Sequence, residues 1–90
     1  MPFEAGIEEL RVMNCLIHPD GLATVMAETG LTRKVSIDIV RNLFHYGFLK
    51  PMSREDKPMP SFDVDKIDRV KFTLTGKGIK FWEENSFRLR

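Results

Sequence analysis

Ile7, Leu10, Met13, Leu16 and Ile17 recur at helical spacing, with Glu8, Glu9, Arg11 and Asn14 on the opposite side. That pattern predicts an amphipathic helix over about 3–18. His18-Pro19-Asp20-Gly21 ends it, because Pro19 cannot continue the hydrogen-bond ladder and Asp-Gly suits a tight turn. A shorter helix follows over about 22–29, with Leu22, Val25 and Met26 as its buried stripe. Gly30 stops it, since glycine accepts the left-handed conformation that a helix end wants. Leu31 reads as a core plug, and Thr32 as the N-cap of a third helix over about 33–46. Val40, Leu43 and Phe44 mark the core side of that helix, joined by Ile39 or Val35, and Gly47 stops it.

The period then changes. Phe48-Leu49-Lys50-Pro51-Met52 reads as a strand that Pro51 confines to an edge or cuts short. Residues 53–68, rich in charge and carrying Pro58 and Pro60, form a long loop. From Arg69 to Thr75 the alternation is clean, with Val70, Phe72 and Leu74 facing one way and Arg69, Lys71, Thr73 and Thr75 the other, which predicts a half-buried strand. Thr75 then caps a final helix over about 76–85, its apolar side carrying Ile79 and Trp82 or Phe81. The expected fold class is α+β, mainly α: a three-helix core, a β-hairpin and a C-terminal helix in a single domain over 1–90. Helices two and three are joined by three or four residues around a glycine, the spacing of a helix-turn-helix over about 22–46.

Composition fits a soluble globular domain, at 42% hydrophobic and 30% charged residues. No apolar run reaches the roughly 18 residues of a membrane span. Met1-Pro2-Phe3-Glu4 lacks the basic start and apolar stretch of a secretory signal. Cys15 is the single cysteine, so an internal disulfide is impossible and a reducing cytoplasm is the expected home. The net charge is only +1, but it is unevenly spread. Residues 31–50 hold Arg33, Lys34, Arg41 and Lys50 against Asp38, and residues 69–80 hold Arg69, Lys71, Lys77 and Lys80 with no acid. The remainder is acidic or balanced. If the two basic segments meet, a near-neutral chain gains one positive face.

Two motifs carry a resemblance. The first is Gly30-Leu31-Thr32 followed by Val40, Leu43, Gly47, Phe48 and Leu49; the second is Phe72-Thr73-Leu74-Thr75-Gly76-Lys77-Gly78. In that order they resemble the winged helix-turn-helix superfamily, in the style of small MarR-like and PadR-like transcriptional regulators. The second motif is similar to the Tyr-x-Leu-Thr-x-x-Gly that closes the wing in many of them. One position departs. The first core slot of the recognition helix, usually aliphatic, falls on Ser36. Either the helix is slightly rotated, or Ser36 bonds back to the helix, Val35 takes the slot and Ile37 lies exposed.

The resemblance implies sequence-specific binding of double-stranded DNA, with the third helix in the major groove and the wing, about 48–75, on the backbone or minor groove. The implied DNA-facing residues are Arg33, Lys34, Ile37, Arg41 and Asn42 on the helix and Arg54, Lys57, Arg69 and Lys71 on the wing. Glu55, Asp56, Asp63, Asp65 and Asp68 share the wing and would repel phosphate unless they face away. It also implies a homodimer through the first and last helices, with Phe3, Ile7, Phe81, Trp82 and Phe87 as interface candidates. The competing expectation is a winged-helix module that binds protein within a larger assembly.

Little in the chain suggests chemistry. Cys15 and His18 supply two ligands where a structural zinc site usually needs four, so no metal is expected. There is no phosphate-cradling loop and no triad pattern, so neither an enzyme, a cofactor nor a small-molecule ligand is expected.

Overall fold

The computed structural model describes residues 5–89. Along them run α1 (Ile7–Cys15), β1 (Asp20–Gly21), α2 (Leu22–Thr29), α3 (Arg33–His45), β2 (Leu49–Met52), a 3-10 helix η1 (Val64–Arg69), β3 (Lys71–Leu74), α4 (Gly76–Asn85) and a second 3-10 turn η2 (Ser86–Leu89). The strands form one antiparallel sheet in the order β1-β3-β2. This is an α+β winged helix, as the period changes along the sequence predict.

Local chemistry sets the boundaries. Thr32 caps α3, its hydroxyl accepting from Val35 N at 3.2 Å, and Thr75 caps α4, accepting from Gly78 N at 3.0 Å. Gly30 and Gly47 hold left-handed conformations, at φ 74° and 80°. After α3 the amides of Gly47 and Phe48 donate back to the carbonyls of Phe44 and Leu43, at 3.0 and 2.9 Å. Those paired bonds satisfy the last carbonyls of the helix and turn the chain directly into β2.

The core lies between α1, α2, α3 and the inner face of the sheet, around Leu10, Met13, Leu22, Val25, Leu43 and Phe72, all fully or almost fully buried. Three features depart from the sequence pattern. The first helix is shorter than 3–18 within the described residues, ending at Cys15. Asp20 and Gly21, expected as a turn, form a third strand opposite Phe72 and Lys71. Thr73, expected to face outward, is buried. β3 is the central strand, and the chain just after α1 lies beside it. There the Thr73 hydroxyl and the Leu74 amide both donate to Leu16 O, at 3.2 and 2.9 Å.

The start of α4 presses closely on this seam. Thr75 N donates to Phe48 O at 3.0 Å and the Thr75 hydroxyl to Gly47 O at 2.6 Å. A side chain at Gly78 would bring a Cβ within 2.1 Å of Phe48 O, so only glycine permits this approach.

The wing is more ordered than a plain loop. β2 is an edge strand, as Pro51 predicts. After Met52 the chain turns through Ser53–Lys57, where Ser53 N donates to Lys57 O at 2.8 Å. Asp56 takes a left-handed φ of 61° inside this turn. The returning strand then runs back along the outer edge of β2, with Met59 N donating to Pro51 O at 3.0 Å, so the edge is covered. Phe62 anchors the return. It packs edge-on against Phe44 of α3 and Phe72 of β3, with ring centroids 5.4 and 5.0 Å apart. Ile67 of η1, completely buried, makes the second anchor.

Candidate nucleic-acid interface

The amphipathic register of α3 decides what it shows to solvent. Ile39, Val40 and Leu43 are buried, while Lys34, Asp38, Arg41, Asn42 and His45 are exposed. At about 100° per residue, Lys34, Asp38, Arg41 and His45 form a single stripe with Asn42 on its flank. Arg33 is exposed too but lies about 100° round the helix from Lys34. Ile37 is half-buried and packs against the core cluster instead of standing exposed. Ser36 itself fills the aliphatic slot. It is completely buried, with Val35 and Ile37 half-buried on either side. Its hydroxyl has no hydrogen-bond partner among the described residues, so it does not bond back to the helix.

The acids of the wing do not simply turn away. Asp68 faces α3 and grips Arg33 with both oxygens, accepting from Nη1 at 2.8 Å and Nη2 at 3.0 Å. The hydrogen bonds from Arg33 hold the Asp68 carboxyl below the usual carboxylate range, and the same bonds raise the guanidinium's pKa. Asp56 accepts from Lys71 Nζ at 3.1 Å. Asp63 accepts from Asp65 N at 2.9 Å and so caps η1. Arg54, Lys57, Lys66 and Arg69 are exposed and make no ion pair among the described residues.

The two basic segments do adjoin, but much of their charge is used within the fold. Arg33 and Lys71 are paired. Lys77 donates to Tyr46 O at 2.8 Å and lies 5.0 Å from the centre of the Phe48 ring. Among the described residues the other cations of these segments and the wing that make no ion pair are Lys34 and Arg41 on α3, Lys50 on β2, Arg54, Lys57, Lys66 and Arg69 on the wing, and Lys80 on α4. Between the α3 stripe and the returning wing runs an open groove of about 700 Å³, lined by Asp38, Arg41, Asn42, Phe44, His45, Phe62 and Val64.

Of the pairing candidates, Phe81 stacks on Phe48 at 4.7 Å and Trp82 packs against the domain's own core, both half-buried. Ile7 and Phe87 remain 45% and 66% exposed. Phe3 lies outside the described residues. Arg88 donates to Ala5 O at 2.7 Å, which brings η2 against the start of α1 and sets Ile7 and Leu89 around one groove.

Cys15 is part-buried and donates to Arg11 O at 3.2 Å. Burial, then the neighbouring Glu28 carboxylate, pushes its thiol up to about 12. A thiol so shifted is almost wholly protonated at neutral pH and is a poor nucleophile. Among the described residues no cluster of His, Cys, Asp or Glu could hold a metal ion, and no helix is long and apolar enough to cross a membrane.

Two residues of this interface escaped sequence reasoning. Asp68 lies 35 positions from its partner, and nothing local marks such a pair. Phe62 had a usable signal, as a lone aromatic in a polar, proline-rich segment.

Compared by sequence, the chain matches no protein-family model and no curated protein. Compared by structure, it is similar to BpsR of Bordetella bronchiseptica, a protein whose DNA binding is regulated by 6-hydroxynicotinic acid. The TM-score is 0.70 at 18% identity, and the match covers 90% of this chain and 53% of that one. The chain therefore spans about half the length of BpsR. At this identity the likeness establishes the winged-helix fold.

Proposed function

We propose that this domain binds double-stranded DNA as a transcriptional regulator, with α3 in the major groove and the wing against the backbone or minor groove. The observation that carries the reading is the exposed stripe of Lys34, Arg41 and His45, with Asn42 beside it, on a helix of the right diameter to enter a groove. Similarity in fold to BpsR, a DNA-binding protein, supports it. On this reading Lys34 and Arg41 contact phosphate or guanine and Asn42 an adenine edge. Arg54, Lys57 and Arg69 supply phosphate contacts from the wing. Ile37 and Lys71 contribute less, being half-buried and ion-paired respectively.

Fluorescence anisotropy with a random duplex at two salt concentrations tests this. Salt-sensitive binding is expected, and Lys34→Ala and Arg41→Ala should each lower the salt slope by about 1. No binding to duplex even at low salt would end the proposal.

The domain is further proposed to act as a homodimer, paired across α1 and η2 where Ile7 and Phe87 are uncovered. Sedimentation should then give twice the chain mass, and Phe87→Asp should return it to a monomer. A wild-type monomer at micromolar concentration would refute the pairing.

One observation favours a second reading, a module that binds protein through the same face. Asp38 on the α3 stripe and the Arg33–Asp68 pair give that face both signs of charge. The two-salt titration separates the readings, because a protein-binding module has no reason to hold random duplex in a salt-dependent way.

A further inference from the structure

We infer that Asp68 sets the affinity of the DNA-binding face by occupying, on Arg33, the place that a nucleic-acid phosphate would take. The inference rests on the proposed DNA binding and adds a residue that the wing's overall charge does not single out.

The geometry is that of anion recognition. Both terminal nitrogens of Arg33 meet both oxygens of Asp68, at 2.8 and 3.0 Å. A guanidinium receives a phosphate through the same fork of parallel donors. While the carboxylate is in place, that edge of Arg33 is filled. Arg33 is also the first residue of α3, and the positive end of a helix attracts anions. The carboxylate is held by the Arg33 guanidinium, which lowers its pKa, so it is ionised at neutral pH.

The carboxylate is also carried by an anchored element. Ile67, its neighbour in η1, is wholly buried, and Phe62 is wedged between Phe44 and Phe72. Asp68 thus stays beside Arg33 when the side chains part. The pair itself is open to solvent, with the two side chains 49% and 66% exposed. Exposed pairs of this kind are weak and easily exchanged. A DNA phosphate can take over the fork, but only after displacing a tethered competitor, and its gain is smaller for that.

Asp65 gives an internal control, since it lies on the same 3-10 helix, carries the same charge and makes no ion pair among the described residues. The experiment is an anisotropy titration of a labelled random duplex at two salt concentrations. It compares the wild type with Asp68→Asn, Asp65→Asn, Arg33→Met and the double variant Arg33→Met/Asp68→Asn, each checked for an unchanged circular dichroism melt. Asp68→Asn should bind about five- to tenfold more tightly and steepen the salt slope by about 1, the effect of one more phosphate contact. Asp65→Asn should change affinity by far less. In the Arg33→Met background, Asp68→Asn should gain no more than Asp65→Asn does.

If the wild type binds duplex but Asp68→Asn gains no more than Asp65→Asn, the inference fails while the proposed function stands. Weaker binding by Asp68→Asn would overturn it too, making Asp68 a support that orients Arg33. If no variant binds duplex at low salt, the proposed function fails and takes the inference with it. A wild type silent at low salt ends the proposed function, and the inference with it, even beside a binding Asp68→Asn.

Discussion

The seam where α1 and α4 meet β3 and the wing over 53–69 are built from the same twenty residue types by opposite means. In the seam the contacts are made largely by backbone groups, and those at Leu16 O and Thr73 are buried. Leu16 O receives both Thr73 and Leu74, Thr75 ties into Gly47 and Phe48, and Gly78 lets backbone approach backbone. The wing hangs on two apolar anchors, Phe62 and Ile67, and on two ion pairs that solvent reaches. Shielded contacts lose much when disturbed, and exposed pairs exchange partners cheaply. The fold therefore keeps its rigid part away from the proposed DNA face and places its adjustable charges on that face.

The sharpest way to break this contrast is to truncate one aromatic ring from each region. Phe72 is completely buried at the centre of the sheet, and Phe72→Ala should cost about 3–5 kcal/mol, enough to leave the domain marginal or unfolded. Phe62 touches the same ring but is half-buried. Phe62→Ala should cost about 2 kcal/mol, less than a full core deletion. Its signature should be local, with faster amide exchange over 53–69 while the amides of Thr73, Leu74 and Thr75 stay protected. Chemical denaturation and hydrogen exchange read both. Equal losses from the two variants, or exchange that accelerates everywhere in Phe62→Ala, would mean that the wing is part of the core and that the contrast is wrong.

The same division decides how much could be read from the sequence. α2, α3 and α4 and the caps at Thr32 and Thr75 were legible because each is written in adjacent residues: apolar spacing, a hydroxyl at the boundary, a glycine at the end. The hairpin was legible from the alternation around Phe72. β1 was not, because two residues, Asp20 and Gly21, are too few to show a period. Thr73 was misplaced because alternation assumes that one side of a strand faces water, and here Thr73 is buried with its hydroxyl bonded to the chain just after α1. On the proposed interface the positions along α3 followed from its register. The state of Arg33 did not, since it depends on Asp68, 35 residues away. Long-range pairs between exposed charges leave no periodic trace, so the wing, which rests on them, was the least legible part of the chain.

Ser36 gives the smallest expected effect and a test from inside α3. It faces the core, completely buried and with no partner for its hydroxyl among the described residues. Had the helix turned to bring Val35 inward, Ser36 would have reached solvent or a backbone carbonyl. Instead Val35 and Ile37 share the flanks and the hydroxyl is left in the apolar interior. A buried hydroxyl without a partner is a cost that the fold carries. Ser36→Ala removes it, keeps the Cβ and improves helix propensity, so it should raise stability by about 1 kcal/mol. For a domain of this size that is about 4–8 °C in melting temperature. The stripe of Lys34 and Arg41 lies on the other side of α3, so DNA affinity should not move. A lower melting temperature would mean that the hydroxyl is satisfied after all, and the helix would then be held at Ser36 by a polar contact, as the wing is held at Asp68, and not by packing alone.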